Sequence, residues 1–138
     1  MAITQTFVDT FKTEIAKGTH DFEDDTFKIA LYTSSATLDA STLAYTASGE
    51  VTGAGYSAGG TTLTGGAVTF DTKGLIDFDD AVWSGSTISA AGALIYNSSK
   101  SDKAVCVMDF GGTQSSSSST FTAAFPAVTA TTSIIRIS

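Results

Sequence analysis

The chain has 138 residues, of which 42% are hydrophobic, enough for one domain with a single core. Fourteen Asp and Glu against seven Lys and Arg give a formal charge of -7. Such a field repels phosphate-rich partners, so nucleic-acid binding is disfavoured. No run approaches the roughly 18 consecutive apolar residues of a membrane helix, which argues against a membrane partner. Met1-Ala2-Ile3-Thr4-Gln5 does not open a secretory signal, so synthesis in the cytoplasm is expected.

Charged residues make up 15% of the chain, where about 25% is usual. The surface must then be built largely from Ser, Thr, Gly and Ala. These side chains lose little entropy when immobilised and cost less to desolvate than ions. That composition suits broad contact with other subunits, and it equally suits an ordinary β-domain with a Ser/Thr-rich exterior.

In chain order, the first expected element is an amphipathic helix over 4–17, with Phe7, Phe11 and Ile15 recurring every four residues and Val8 widening the stripe. Thr4 or Thr6 is the expected cap, Lys17 suits the C-terminal dipole, and Gly18 suits a left-handed position just beyond it. The stripe either packs on the domain's own sheet or docks on a neighbour. After the acidic turn His20–Asp25, Phe27, Ile29 and Leu31 alternate with their neighbours, the mark of a half-buried strand.

Residues 34–60 form an irregular excursion. A short helical turn is expected within 34–45, followed by the glycine-punctuated stretch Gly49–Gly60, the best candidate for a contact loop. Further strands are expected at 61–70 (Gly65-Gly66 marking a bulge or turn), 75–83, 87–97, 103–110, 120–125 and 131–137. Ala93–Asn97 and Lys103–Val107 flank five polar residues and predict a hairpin. Trp83 is the expected core anchor. Ser115 to Ser119 reads as a flexible loop. The whole is a mainly β chain, read as a single domain over 1–138: one helix, then an antiparallel sandwich or jelly-roll-like barrel over 26–137.

Catalytic groups are scarce. Cys106 is the only cysteine, so no internal disulfide can form, and its apolar neighbours predict a buried small hydrophobe. His20 is the only imidazole, expected at the surface by the helix end, where Asp21, Glu23, Asp24 and Asp25 favour its protonated form. Asp77 and Asp79 would share one side of a strand with Phe78 on the other, and with Asp80 nearby this group is weighed as a Ca²⁺ ligand set, or else as a solvated charged edge. A glycosidase-like carboxylate pair lacks an aromatic sugar platform. Gly53-Ala54-Gly55-Tyr56-Ser57-Ala58-Gly59 lacks both the dinucleotide and the P-loop spacing. These readings assign no catalytic, cofactor-binding or metal residues, no cofactor and no enzymatic activity.

Three segments, Thr26–Leu38, Gly49–Gly60 and Gly92–Lys100, with Asp77–Trp83 between the last two, together resemble a family of small virion proteins of tailed bacteriophages. The resemblance spans about residues 5–137. It implies a capsid decoration (cement) protein, or alternatively a tail- or fibre-associated component. It implies as partners the major capsid protein and copies of itself, and as location the virion. It supplies no site residues.

Overall fold

The computed structural model describes residues 2–70, 74–124 and 135–137. Its elements are β1 (Thr6–Phe7), α1 (Asp9–Ala16), β2 (Phe27–Tyr32), β3 (Thr61–Thr62), β4 (Ala67–Phe70), β5 (Gly74–Asp77), β6 (Ala81–Asn97), a 3₁₀ turn (Ser98–Lys100), β7 (Lys103–Ala123) and β8 (Ile135–Ile137). They form a five-stranded sheet in the order β1-β7-β6-β2-β3 and a three-stranded sheet in the order β4-β5-β8, antiparallel throughout. The chain is mainly β, with one α-helix among the described residues, in keeping with the expected class.

The helix is shorter than its apolar periodicity predicts. Thr6 and Phe7 are drawn into strand pairing with Val107 and Cys106, and the amides of Val8 and Asp9 bond to Val105 and Ala40 carbonyls. Tertiary hydrogen bonds therefore claim the segment expected to form the first helical turn. Val8 stands at the cap position without a side-chain bond, so neither Thr4 nor Thr6 caps the helix. Beyond Lys17, Gly18 takes φ +72°, as its expected left-handed position requires. Phe7 still meets Phe11, at 5.8 Å between ring centres, and Phe11 is buried. The stripe packs on the chain's own core.

β2 is a strand as expected, but it is not half-buried: Phe27, Ile29, Ala30, Leu31 and Tyr32 are all buried. Both sides of the sheet are covered. On the face of Phe27 and its partner Asn97 lie His20, Phe22 and the end of α1. On the face of Lys28 and its partner Tyr96 lies the 34–60 excursion, with Tyr45 stacked on Tyr96 at 5.1 Å. Periodicity counted only one of these covers.

The excursion contains no helical turn, and it contacts strands through isolated bridges, Tyr32 with Glu50 and Ala54 with Thr87. The expected 61–70 strand divides at Leu63–Gly66 into β3 and β4, which belong to different sheets, and where a bulge or turn is expected the chain bends at Gly65, with φ +66°. The expected 75–83 strand likewise divides into β5 and the start of β6. The predicted hairpin forms with Asn97 opposite Lys103, and Ser101 and Asp102 adopt left-handed conformations in its turn. Trp83 is buried, as expected of an anchor.

The serine run is the largest departure. Ser115–Ser119 is part of β7 rather than a loop: Ser115 pairs with Ser89, Ser116 with Ile88 and Ser119 with Ser86. Buried Ser86 explains why serine serves there. Its hydroxyl donates to the Trp83 carbonyl (3.0 Å) or the Ser119 carbonyl (3.1 Å) and meets the Ser116 hydroxyl at 2.8 Å. Strands expected at 103–110 and 120–125 are thus one strand. Of the last expected strand, 131–137, the described residues 135–137 form β8, and 131–134 lie outside the described residues.

Candidate interaction surface

The Gly49–Gly60 stretch is fixed by one carboxylate. Glu50 accepts the Tyr45 hydroxyl on Oε2 (2.6 Å), and on Oε1 the Tyr56 hydroxyl (2.7 Å) and the Gly59 amide (2.7 Å). The Tyr56 oxygen in turn accepts the Leu31 amide of β2 at 2.9 Å. Tyr96 donates to the Gly59 carbonyl (2.6 Å) and Tyr32 to the Thr46 carbonyl (2.7 Å). All four tyrosines of the chain serve this one attachment. Burial first, then Glu50, pushes the Tyr45 hydroxyl up to about 12. Burial and Asp102 do the same to Tyr96, also to about 12. Burial raises Tyr32 and Tyr56 further still. These phenols remain protonated donors through the physiological range. At Gly60, with φ +79°, any Cβ would overlap the Ile29 carbonyl oxygen, so glycine is needed for the loop to lie against β2.

His20 follows the helix end, as expected, but it is buried rather than on the surface. Its ring lies among Phe11, Phe22 and Phe27, with centre distances of 5.2 to 6.4 Å. Nε2 meets Glu14 Oε1 at 3.0 Å, and Nδ1 meets the Asn97 amide nitrogen, also at 3.0 Å. A carboxylate accepts and an amide nitrogen donates, so this pairing fits the tautomer with hydrogen on Nε2. Asn97 also donates to Asp25 Oδ2 at 2.8 Å and accepts the Ser99 amide at 3.0 Å. Asp25 receives the Asp21 amide on Oδ2 and Lys100 on Oδ1. Burial pushes the Asp25 carboxyl up, but bonds from Asn97, the Asp21 amide and Lys100 outweigh it and hold the group below its ordinary value. The arrangement ties the 20–25 turn to the hairpin turn. Its partners are all spent on structure.

The acidic turn does not gather its carboxylates on one point. Asp21 Oδ1 accepts the amides of Glu23 and Asp24, whereas Asp25 faces Asn97 and Lys100. The second acidic group is not an alternating strand face either. β5 ends at Asp77, Phe78 is buried, and Asp79 and Asp80 are exposed in the connection to β6. Asp77 Oδ1 is buried without a hydrogen-bond partner. Burial, and more weakly Asp80 and Asp79, push its carboxyl up against the Phe78 amide. Among the described residues, no three His, Cys, Asp or Glu side chains converge as a metal-ligand set. Cys106 is buried as expected, and burial raises its thiol to about 12, far from a reactive thiolate.

The β6–β7 hairpin offers a different kind of surface. β2 pairs with β6 only at Gly92–Asn97, and β1 with β7 only at Cys106 and Val107. Beyond those limits the two strands continue as a ribbon. From Asp109 to Ala123 the outer edge of β7 has no strand beside it among the described residues. Phe110–Gly112 bulge out between the Gly92–Asp109 and Ala90–Gln114 pairs, which bends β7 back on itself. Phe110 thereby comes within 6.3 Å of Phe121, which stands at 6.0 Å from Trp83, itself 6.1 Å from Tyr56. This aromatic row stiffens the ribbon and joins it to the Glu50 attachment. Alongside runs a groove of about 490 Å³ lined by Met108, Asp109, Phe110, Gln114, Ser115 and Phe121 among others. No Asp, Glu, Lys or Arg occurs between Asp109 and Arg136.

Comparison with protein-family models, with curated proteins and with solved structures finds no match to this chain. The sequence singled out the excursion but not the residue that fixes it. A lone Glu among glycines carries no periodic signal, although the concentration of Tyr45, Tyr56 and Gly59 around it is a usable hint. The ribbon is hidden in the sequence because a run of five serines has the composition of a flexible linker.

Proposed function

We propose that this protein is a capsid decoration (cement) protein of a tailed bacteriophage, bound with other copies of itself to the outer head shell. There it reinforces the shell against the pressure of packaged DNA. Its partners are the major capsid protein and its own copies, its location is the virion, and it carries out no chemistry. One observation carries the reading: the long β6–β7 ribbon presents an uncharged, serine-rich edge on a chain whose net charge is -7. Such a surface is cheap to desolvate and adheres through main-chain bonds, while the acidic remainder keeps away from nucleic acid. The loop fixed by Glu50 supports the same reading, since a preorganised contact surface loses less entropy on assembly. In this reading the two antiparallel sheets are the layers of a sandwich or jelly-roll-like domain.

The second reading is a tail- or fibre-associated component that contacts a receptor. It is favoured by the exposed residues Thr52–Gly55 with Ser57 and Ala58, bridged to β6 through Ala54 and Thr87 and fixed by the Glu50 attachment. Quantitative mass spectrometry of purified virions separates the two. The head reading expects copies of the same order as the major capsid protein, and a few copies confined to the tail fraction would overturn it.

A further inference from the structure

We infer that the outer edge of β7, centred on Gln114–Ser117, pairs antiparallel with the same edge of a second copy. This names a self-contact and rests on the reading above only in that copies share one particle.

Natural sheet edges are usually guarded by lysines, prolines, inward charges or bulges. Phe110–Ala123 contains no charged residue and no proline. β1 and its flanking residues Gln5 and Val8 cover the edge from Val105 to Asp109, and no strand lies beside the remainder among the described residues. Bulges at 110–113 and near Ser118 bound the edge, but Gln114–Ser116 keeps an unbroken register with Ile88–Ala90 and therefore presents regular strand backbone.

Charge selects the occupant. Two copies at -7 each repel one another, and that repulsion rises where acidic surfaces face. The acidic turn Asp21–Asp25 and the Asp77–Asp80 connection are such surfaces. A basic partner would be drawn to them, not to a neutral strand edge. The β7 edge brings no like charges opposite one another, so a second copy can approach there. Antiparallel pairing about a two-fold axis is self-complementary, because each strand offers the other the same donors and acceptors. Serine opposite serine is already tolerated inside the molecule, where Ser89 and Ser115 hydroxyls meet at 2.8 Å.

The test uses the purified 138-residue chain. Sedimentation equilibrium should show a monomer–dimer equilibrium in the wild type, and the double variant Gln114→Lys, Ser117→Lys should weaken it by about tenfold or more, since like charges then face across the axis. Gln114 and Ser117 face each other across this axis, so the double variant Gln114→Cys, Ser117→Cys should form a dimer disulfide on mild oxidation; buried Cys106 does not compete. Should the lysine variant misfold, amide exchange on the wild type still decides: protection over 113–117 should increase with protein concentration. A wild type that stays monomeric, or a dimer indifferent to the lysines in a folded variant, overturns edge pairing. Neither result touches the head reading, which is judged separately by copy number in virions.

Discussion

Tyr56 donates its hydroxyl proton to Glu50 at 2.7 Å while the same oxygen accepts the Leu31 amide at 2.9 Å. One side chain thus relays a loop carboxylate to the backbone of a buried strand. Glu50→Ala should therefore leave two tyrosine hydroxyls and the Gly59 amide without their acceptor, at a cost of about 2–4 kcal/mol. Glu50→Gln keeps an oxygen for Tyr56 and Gly59 and should cost about 1 kcal/mol. Urea unfolding of both variants checks the order; negligible losses in both would mean that the loop is held by something other than this carboxylate.

Two glycines with similar backbone angles should respond differently to alanine. Gly18 (φ +72°) has open space where a Cβ would project, so Gly18→Ala carries only the left-handed penalty of about 1 kcal/mol. Gly60 (φ +79°) would drive its Cβ into the Ile29 carbonyl and backbone. Gly60→Ala should cost at least about 3 kcal/mol or detach the loop from β2. Thermal unfolding of the pair, with near-ultraviolet dichroism of the tyrosines, reads both effects.

Two of the perturbed carboxylates, Asp25 and Asp77, should give opposite pH signatures. Asp25 is held below its unfolded value, so its contribution is fully present above the ordinary carboxylate range and is lost as pH falls through its folded value. Asp25→Asn should flatten the acid side of the stability curve while lowering stability at pH 7. Asp77 is raised, so its ionisation opposes folding above its unfolded value, and the opposition disappears as pH falls. Asp77→Asn should raise the unfolding midpoint by about 3 °C at pH 7 and by little near pH 3. Melting curves across pH 3–8 check both signs.

Local patterns made the elements legible where a side chain's own neighbours decide its state. Phe27, Ile29 and Leu31 announced β2, Ala93–Val107 announced the hairpin, and an apolar segment announced the burial of Cys106. The misreadings share one cause, contacts made far along the chain. Phe7 fits a helical period yet is claimed by Cys106. Ala30 and Tyr32 occupy expected outward positions yet are covered by the excursion. His20 stands in an acidic stretch yet is enclosed by Phe11, Phe22 and Phe27. Asp77 and Asp79 alternate in sequence, but β5 ends before the alternation can form a face.

The serine run gives the sharpest contrast between local and long-range reading. A flexible loop at Ser115–Ser119 would exchange its amides within the dead time of the measurement and would be cut early by a nonspecific protease. A strand anchored on Ser86 should instead protect those amides of this stretch that bond to β6, and proteolysis should begin elsewhere. Ser86→Ala removes the hydroxyl shared by Trp83, Ser116 and Ser119 and should cost about 1–2 kcal/mol. Its effect should be local: exchange should accelerate over 115–119 while β2 stays protected, because the Gly92–Asn97 half of β6 is paired independently with β2. Loss of protection in both regions would mean that the ribbon and the sheet open as one unit, and unprotected serines in the wild type would return the run to a loop.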